Sequence, residues 1–132
     1  MLRLKKVLIA ILLLSVFAVG TLNFVDIAEA AKWKKFDSGK YYDKYTTKGY
    51  KKTITYTTYM KGSNNGKINY YAYRTKDNKK IHFAIGYASK TGNKIKMYFA
   101  YPNGEKTKPE YDTYKGTLKQ YYTKVFKPIN LK

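Results

Sequence analysis

Between residues 53 and 101, apolar and polar side chains alternate with a period of two in four runs: TITYTTYM (53–60), INYYAYRT (68–75), IHFAIGYA (81–88) and IKMYFAY (95–101). The segments GSNNGK, KDNKK and SKTGNK separate them, and PNGEK follows the last. Strict alternation marks strands with one buried face. Gly, Asn and Asp supply the positive φ angles that tight reversals need. The spacing predicts an antiparallel up-and-down meander. A two-residue turn at Asp77 and Asn78 would pair Ala72 with Phe83. Three-residue loops at 63–65 and 91–93 would pair Met60 with Ile68 and Ile85 with Phe99. Those registers gather Ile54, Tyr56, Met60, Ile68, Tyr70, Ala72, Ile81, Phe83, Ile85, Tyr87, Ile95, Met97, Phe99 and Tyr101 on one face. A one-residue slip would scatter that face.

The opposite face would carry Tyr59, Tyr71, Tyr73, His82, Lys96 and Tyr98 around a small centre of Ala84, Gly86, Ala88 and Ala100. Small residues flanked by rings indicate that something packs closely over them. Residues 117–126 (TLKQYYTKVF) supply a candidate. Leu118, Tyr121, Tyr122, Val125 and Phe126 recur at helical spacing, Thr117 can cap the start, and Pro128 should end the helix. The β-branched and Tyr content leaves a strand as the alternative there. Residues 33–50 are aromatic but poorly periodic, consistent with one or two edge strands, and 103–110 reads as a long loop. The expected fold is all-β, or mainly β with one C-terminal helix. It is a small meander forming a curved sheet or barrel, in a single domain over residues 31–132.

The N-terminal residues belong to a different pattern. Arg3, Lys5 and Lys6 precede a nearly unbroken apolar run over 7–19, and Ala28 and Ala30 frame a small-x-small motif. This is the layout of a cleaved secretory signal peptide over residues 1–30. The strictly apolar run is shorter than the roughly 20 residues of a spanning helix. The expected location is therefore extracellular, with retention at the cell wall by charge. The Lys, Asn, Tyr and Ile usage fits a Gram-positive bacterium.

Composition then narrows the chemistry. The 132-residue chain has no Cys, one His, one Trp and 16 Tyr, with Lys+Arg 27 against Asp+Glu 8. A thiol nucleophile, a thiolate metal site and a disulfide-linked oligomer are all excluded. His82 has no acid nearby in sequence to orient it as a general base. A carboxylate pair of glycosidase type would have to come from Asp43 with Glu110 or Asp112. No metal ligand set or cofactor motif is present, and the expectation is a protein that is not an enzyme.

What remains is positive charge and rings. Beyond residue 30, twenty-four basic residues face six acids, and Arg74 is the one Arg among them. Packing that charge onto a small globule is self-repulsive, and a dense polyanion would relieve it. Lysine rather than arginine points to diffuse phosphate or sulfate neutralisation, not to sequence-specific nucleic-acid reading. Lys61, Lys67, Lys90 and Lys94 should crowd one end of the meander, and Lys51, Lys52, Lys76, Lys79, Lys80, Lys106 and Lys108 the other. Lysines in such places also block edge-to-edge aggregation. Tyr59, Tyr71, Tyr73 and Tyr98 are candidate stacking rings. The first expectation is a binding protein for an anionic polymer or membrane surface, with cell-wall teichoic acid, anionic lipid and other extracellular polyanions as candidates. The same features leave open a bacteriocin-like toxin acting on anionic membranes, or an inhibitor or immune-evasion module with a protein partner.

Residues 70–112 resemble the YxeA-like family of small secreted proteins of unknown function. The resemblance lies in Tyr73, the turn from Asp77 to Lys80, Ile81, Phe83, Gly92, Ile95, Tyr98 and Tyr111. It covers about a third of the chain and implies a small OB-like barrel without an assigned activity. The family's closing acidic-then-Pro helix pattern is missing.

Overall fold

A computed structural model describes residues 32–132; the apolar N-terminal segment and its motif at Ala28 and Ala30 lie outside the described residues. Six strands follow one another: β1 (Lys34–Tyr42), β2 (Thr53–Lys61), β3 (Asn65–Tyr73), β4 (Lys80–Thr91), β5 (Lys94–Ala100) and β6 (Glu110–Thr113). Each pairs antiparallel with the next, so sheet order is chain order, with β1 and β6 at the edges. The architecture is the expected meander, mainly β with one C-terminal helical segment. The sheet stays open and does not close into a barrel, because a helix covers its apolar face.

The helical segment begins at Thr117, whose side chain accepts from the Gln120 N–H while the Gln120 side chain accepts from the Thr117 N–H. This reciprocal cap satisfies two donors at the helix start. An α turn, α1 (Leu118–Tyr121), passes into a π turn (Tyr122–Phe126) and then α2 (Lys127–Asn130). Pro128, expected to stop the helix, lies instead within the first turn of α2. Lys127 N–H reaches back five residues to the Tyr122 carbonyl. That wider turn gives the proline ring room where a regular α turn would collide with it.

The strand registers differ from those expected, and the turns show why. Lys61 pairs with Asn65, leaving Gly62, Ser63 and Asn64 in the loop with Gly62 at φ 65°. Thr91 pairs with Lys94, leaving only Gly92 and Asn93 with Gly92 at φ 60°. Between Tyr73 and Lys80 the reversal spans six residues, not two. It is fastened by the Arg74–Asp77 ion pair at 2.7 Å and by Asp77 Oδ1 accepting from the Lys79 N–H. Ala72 therefore faces Ile81, Met60 faces Gly66, and Ile85 faces Ala100.

Two bulges decide which residues reach the core. In β4, Tyr70 stands opposite Ala84 and Tyr71 opposite His82, so Phe83 is an extra residue. A bulge lets neighbours in sequence face the same way, and Phe83 and Ala84 are both fully buried. Beyond it the parity inverts. Gly86 and Ala88, rather than Ile85 and Tyr87, share the face of Ile68, Met97 and Phe99. The expected core places of Ile85 and Tyr87 are thus overturned: Ile85 is buried on the other face, in register with Asn69 and Ala100, and Tyr87 is half-buried there. In β1, Phe36 is the extra residue, and its ring meets Tyr122 edge-on at 5.5 Å.

Small residues and large apolar residues consequently lie on one face, and the helix packs there. Leu118, Tyr121, Tyr122 and Phe126 are buried against it. A Cβ on Gly66 would stand 3.5 Å from Leu118 Cδ2, and one on Gly86 would stand 3.2 Å from Phe99 Cε1. An apolar void of ≈ 40 Å³ remains between this floor and the helix. Tyr122 OH accepts from Thr58 Oγ1 at 2.8 Å and donates to Asp37 Oδ2 at 2.9 Å; Lys127 Nζ donates to the same oxygen at 2.8 Å. Burial would raise the Asp37 carboxyl, but these bonds hold it below its ordinary 3.8. Tyr121 OH donates to Asp112 Oδ2 at 2.9 Å. Two adjacent tyrosines thereby tie the helix to β1 and to β6.

Candidate anion-binding face

The helix covers one face of the sheet and leaves the other without a helix, although Lys67, Asn69 and Ile85 are buried on it. The strand registers order the open face into transverse rows. One row runs Lys35, Tyr59, Lys67, Tyr87, Tyr98 across β1 to β5. The next runs Lys61, Asn65, Ser89, Lys96, Tyr111 across β2 to β6. Further along, Tyr71 faces His82 and Tyr73 faces Lys80. The Tyr87 and Tyr98 rings stack at 5.4 Å and 28°. Tyr71 and His82 lie 4.8 Å apart.

Trp33, just before β1, turns onto this face. Lys67 Nζ lies 4.6 Å from the Trp33 ring centre and 5.9 Å from that of Tyr59, and Lys61 Nζ lies 5.7 Å from Trp33. Lys67 is only 6 % exposed, so these rings shelter its stem and head together. Lys80 sits 4.3 Å over Tyr71, Lys94 4.5 Å over Tyr111 and Lys96 6.0 Å over Tyr98. A ring face attracts an ammonium through its quadrupole and leaves the charge intact.

Among the described residues no carboxylate takes a register position on this face. Asp37 and Asp112 point to the helix side, where Tyr122, Lys127 and Tyr121 bind them. Glu110 is in register with Met97 and so shares the helix side. Asp77 is paired with Arg74 in the β3–β4 reversal, holding its carboxyl down to about 2. Asp43 is 2 % exposed in the loop after β1 and accepts from the Tyr45 N–H. Glu105 belongs to the loop after β5. Asp43 therefore follows one edge strand while Glu110 and Asp112 lie in the other, and the fold does not bring that carboxylate pair together.

His82 is half-buried among these cations. Desolvation, followed by the charge of Lys67, pushes its imidazole down to about 4; an Ala84 backbone hydrogen bond opposes this, and Lys80 adds to the fall. It is neutral at neutral pH.

The structure distributes the candidate lysines in three ways. Lys61, Lys90 and Lys94 flank the two reversals at one end of the sheet, and Lys90 Nζ donates to the Gly92 carbonyl. Lys67 lies close by on the open face, its ammonium over the same Trp33 ring as that of Lys61. Lys76 and Lys79 occupy the β3–β4 reversal with Lys80 beside it, and Lys51 joins them through Nζ donating to Asn78 Oδ1 at 2.7 Å. Lys52 turns to the Lys44 carbonyl at 2.9 Å. Lys106 and Lys108 follow the chain back along β5, where Ala100 bridges Lys106 and Thr107 bonds to Phe99. Tyr59, Tyr71, Tyr73 and Tyr98 all fall on the open face, each half-buried.

Sequence reasoning missed Trp33, Tyr87 and Lys96 as members of the site. Trp33 lies in a segment without a usable period, and Tyr87 is misplaced by the unforeseen bulge. Lys96 was legible, since it lies on the same parity as Tyr98. The chain matches no family model, no curated protein and no solved structure.

Proposed function

We propose that this is a secreted, non-catalytic binding protein that holds an anionic polymer across the helix-free face of its sheet. The observation that carries this reading is the confinement of the carboxylates, since basic side chains such as Lys119 and Lys124 lie on the helix side as well. Among the described residues the carboxylates stand on the helix side, in reversals and in loops, while Lys61, Lys80 and Lys96 lie over rings on the opposite face, with Lys35 exposed beside Tyr59 and the buried Lys67 adding its charge. A ladder of ammonium groups between flat rings suits a chain of repeated phosphate or sulfate charges, with rings stacking on the units between them. The apolar side of the helix is already buried on the sheet, so surface attachment makes no use of it.

Retention of the purified protein on a phosphate- or sulfate-bearing matrix, and on isolated cell walls, tests this reading. Elution should come at a defined ionic strength, with affinity falling steeply and linearly on a log–log salt plot. Passage through every anionic matrix unretained at low salt would overturn it.

A further inference from the structure

At one corner of the open face a cleft of ≈ 330 Å³ is lined by Trp33, Lys61, Asn65, Ser89, Lys96 and Tyr98, with Tyr87 in its wall. Its make-up is more selective than that of the rest of the face. The Tyr98 ring, stacked on Tyr87, gives it an aromatic wall, and the Trp33 indole a second aromatic surface. Lys61 and Lys96 bring positive charge to it from β2 and β5. Asn65 and Ser89, a paired position of β3 and β4, contribute neutral donors and acceptors between those charges. Among the described residues no carboxylate lines it. A polymer of bare phosphates would use the lysines but not the rings or the amide. A neutral sugar would use the rings and the amide but not the lysines. A cleft near 300 Å³ is of the size that encloses one small ligand unit.

We infer that the cleft takes a single phosphorylated sugar unit, its ring laid on the Tyr87–Tyr98 wall, its hydroxyls toward Asn65 and Ser89, and its phosphate between Lys61 and Lys96. This inference rests on the polyanion reading and deepens it. It makes the cleft the place where a sugar–phosphate polymer is told apart from polyphosphate or a sulfated chain, with the remaining lysines adding affinity without discrimination.

The chain's one Trp is Trp33, so emission excited at 295 nm reports on this cleft alone. The purified protein is titrated with N-acetylglucosamine 1-phosphate, inorganic phosphate and N-acetylglucosamine at matched ionic strength. The sugar phosphate should give a saturable change at a concentration about tenfold or more below either fragment. Tyr98→Ala should abolish that advantage, while Lys76→Gln, remote in the β3–β4 reversal, should keep it. Equal response to the sugar phosphate and to inorganic phosphate would overturn the inference. If salt-dependent retention on anionic matrices persists in that case, the broader reading survives. If retention is absent as well, both fall.

Discussion

A lysine-rich chain with few acids must hold its ammonium groups by means other than ion pairs. Here aromatic faces take that part. Lys61, Lys67, Lys80, Lys94 and Lys96 each lie over a ring, while Arg74 and Lys127 take carboxylates. A carboxylate would cancel the charge it anchors; a ring positions the ammonium and leaves its field in place. The abundance of tyrosine thus has a physical reason beyond core filling. The half-buried His82 imidazole gives this environment a measurable signature. Its ordinary pKa is 6.5 and its folded value is about 4, so between those values the unfolded chain holds more protons than the folded one. Stability therefore rises with pH across that window. The contribution is complete above 6.5 and is lost as pH falls toward 4. Denaturant titrations of the wild type and of His82→Gln should show the wild type losing on the order of 2 to 3 kcal/mol relative to the variant between pH 7 and 4. Parallel pH profiles would show that the imidazole is not held neutral by its surroundings.

At the level of elements, the decisive device is the bulge at Phe83. It turns Gly86 and Ala88 beneath the helix and sends Tyr87 to the open face. The Gly86 backbone fits under a close roof, since an added Cβ would lie 3.2 Å from Phe99 and 3.4 Å from Tyr70, and neither ring has exposed surface into which it could shift. Gly86→Val should destabilise by about 1–3 kcal/mol, measured as a shift in the urea midpoint at unchanged slope. An unchanged midpoint would mean that Phe99 and Tyr70 do not close over this position. Strand existence, strand order, the helix with its Thr117 cap, and the tyrosines 59, 71, 73 and 98 on one face were all legible in the alternation. The registers were not, because Gly62 and Gly92 take the positive φ angles and shift each reversal by one or two positions. The bulge was hidden as well, since IHFAIGYA alternates acceptably in either parity. The sequence holds one further constraint. A domain this small has a single core, so the apolar side of the helix and the large apolar residues had to meet on one face, and the small residues had to lie among them.

Over the whole molecule, a binding face differs from a merely soluble basic surface in how its charges act together. Lys61 and Lys96 stand in the same transverse row, two strands of separation between them, on the face without carboxylates. Lys76 and Lys79 stand in a reversal that also holds Asp77. Replacing Lys61 and Lys96 together by Gln should flatten the log–log salt dependence of polyanion binding by about two contacts' worth. Replacing Lys76 and Lys79 should change it less. Equal effects from the two pairs would show that net charge alone governs attachment.

The two tyrosine straps bear on that attachment from the other side of the sheet. Tyr121 grips β6 through Asp112 and Tyr122 grips β1 through Asp37, so adjacent residues of one helical segment link the two margins of the sheet. A guest arriving on the far surface meets a platform whose spacing is already set. Little conformational freedom is left to be surrendered on capture. Binding should then proceed without backbone rearrangement, and only guests whose repeat matches the strand separation should profit from it.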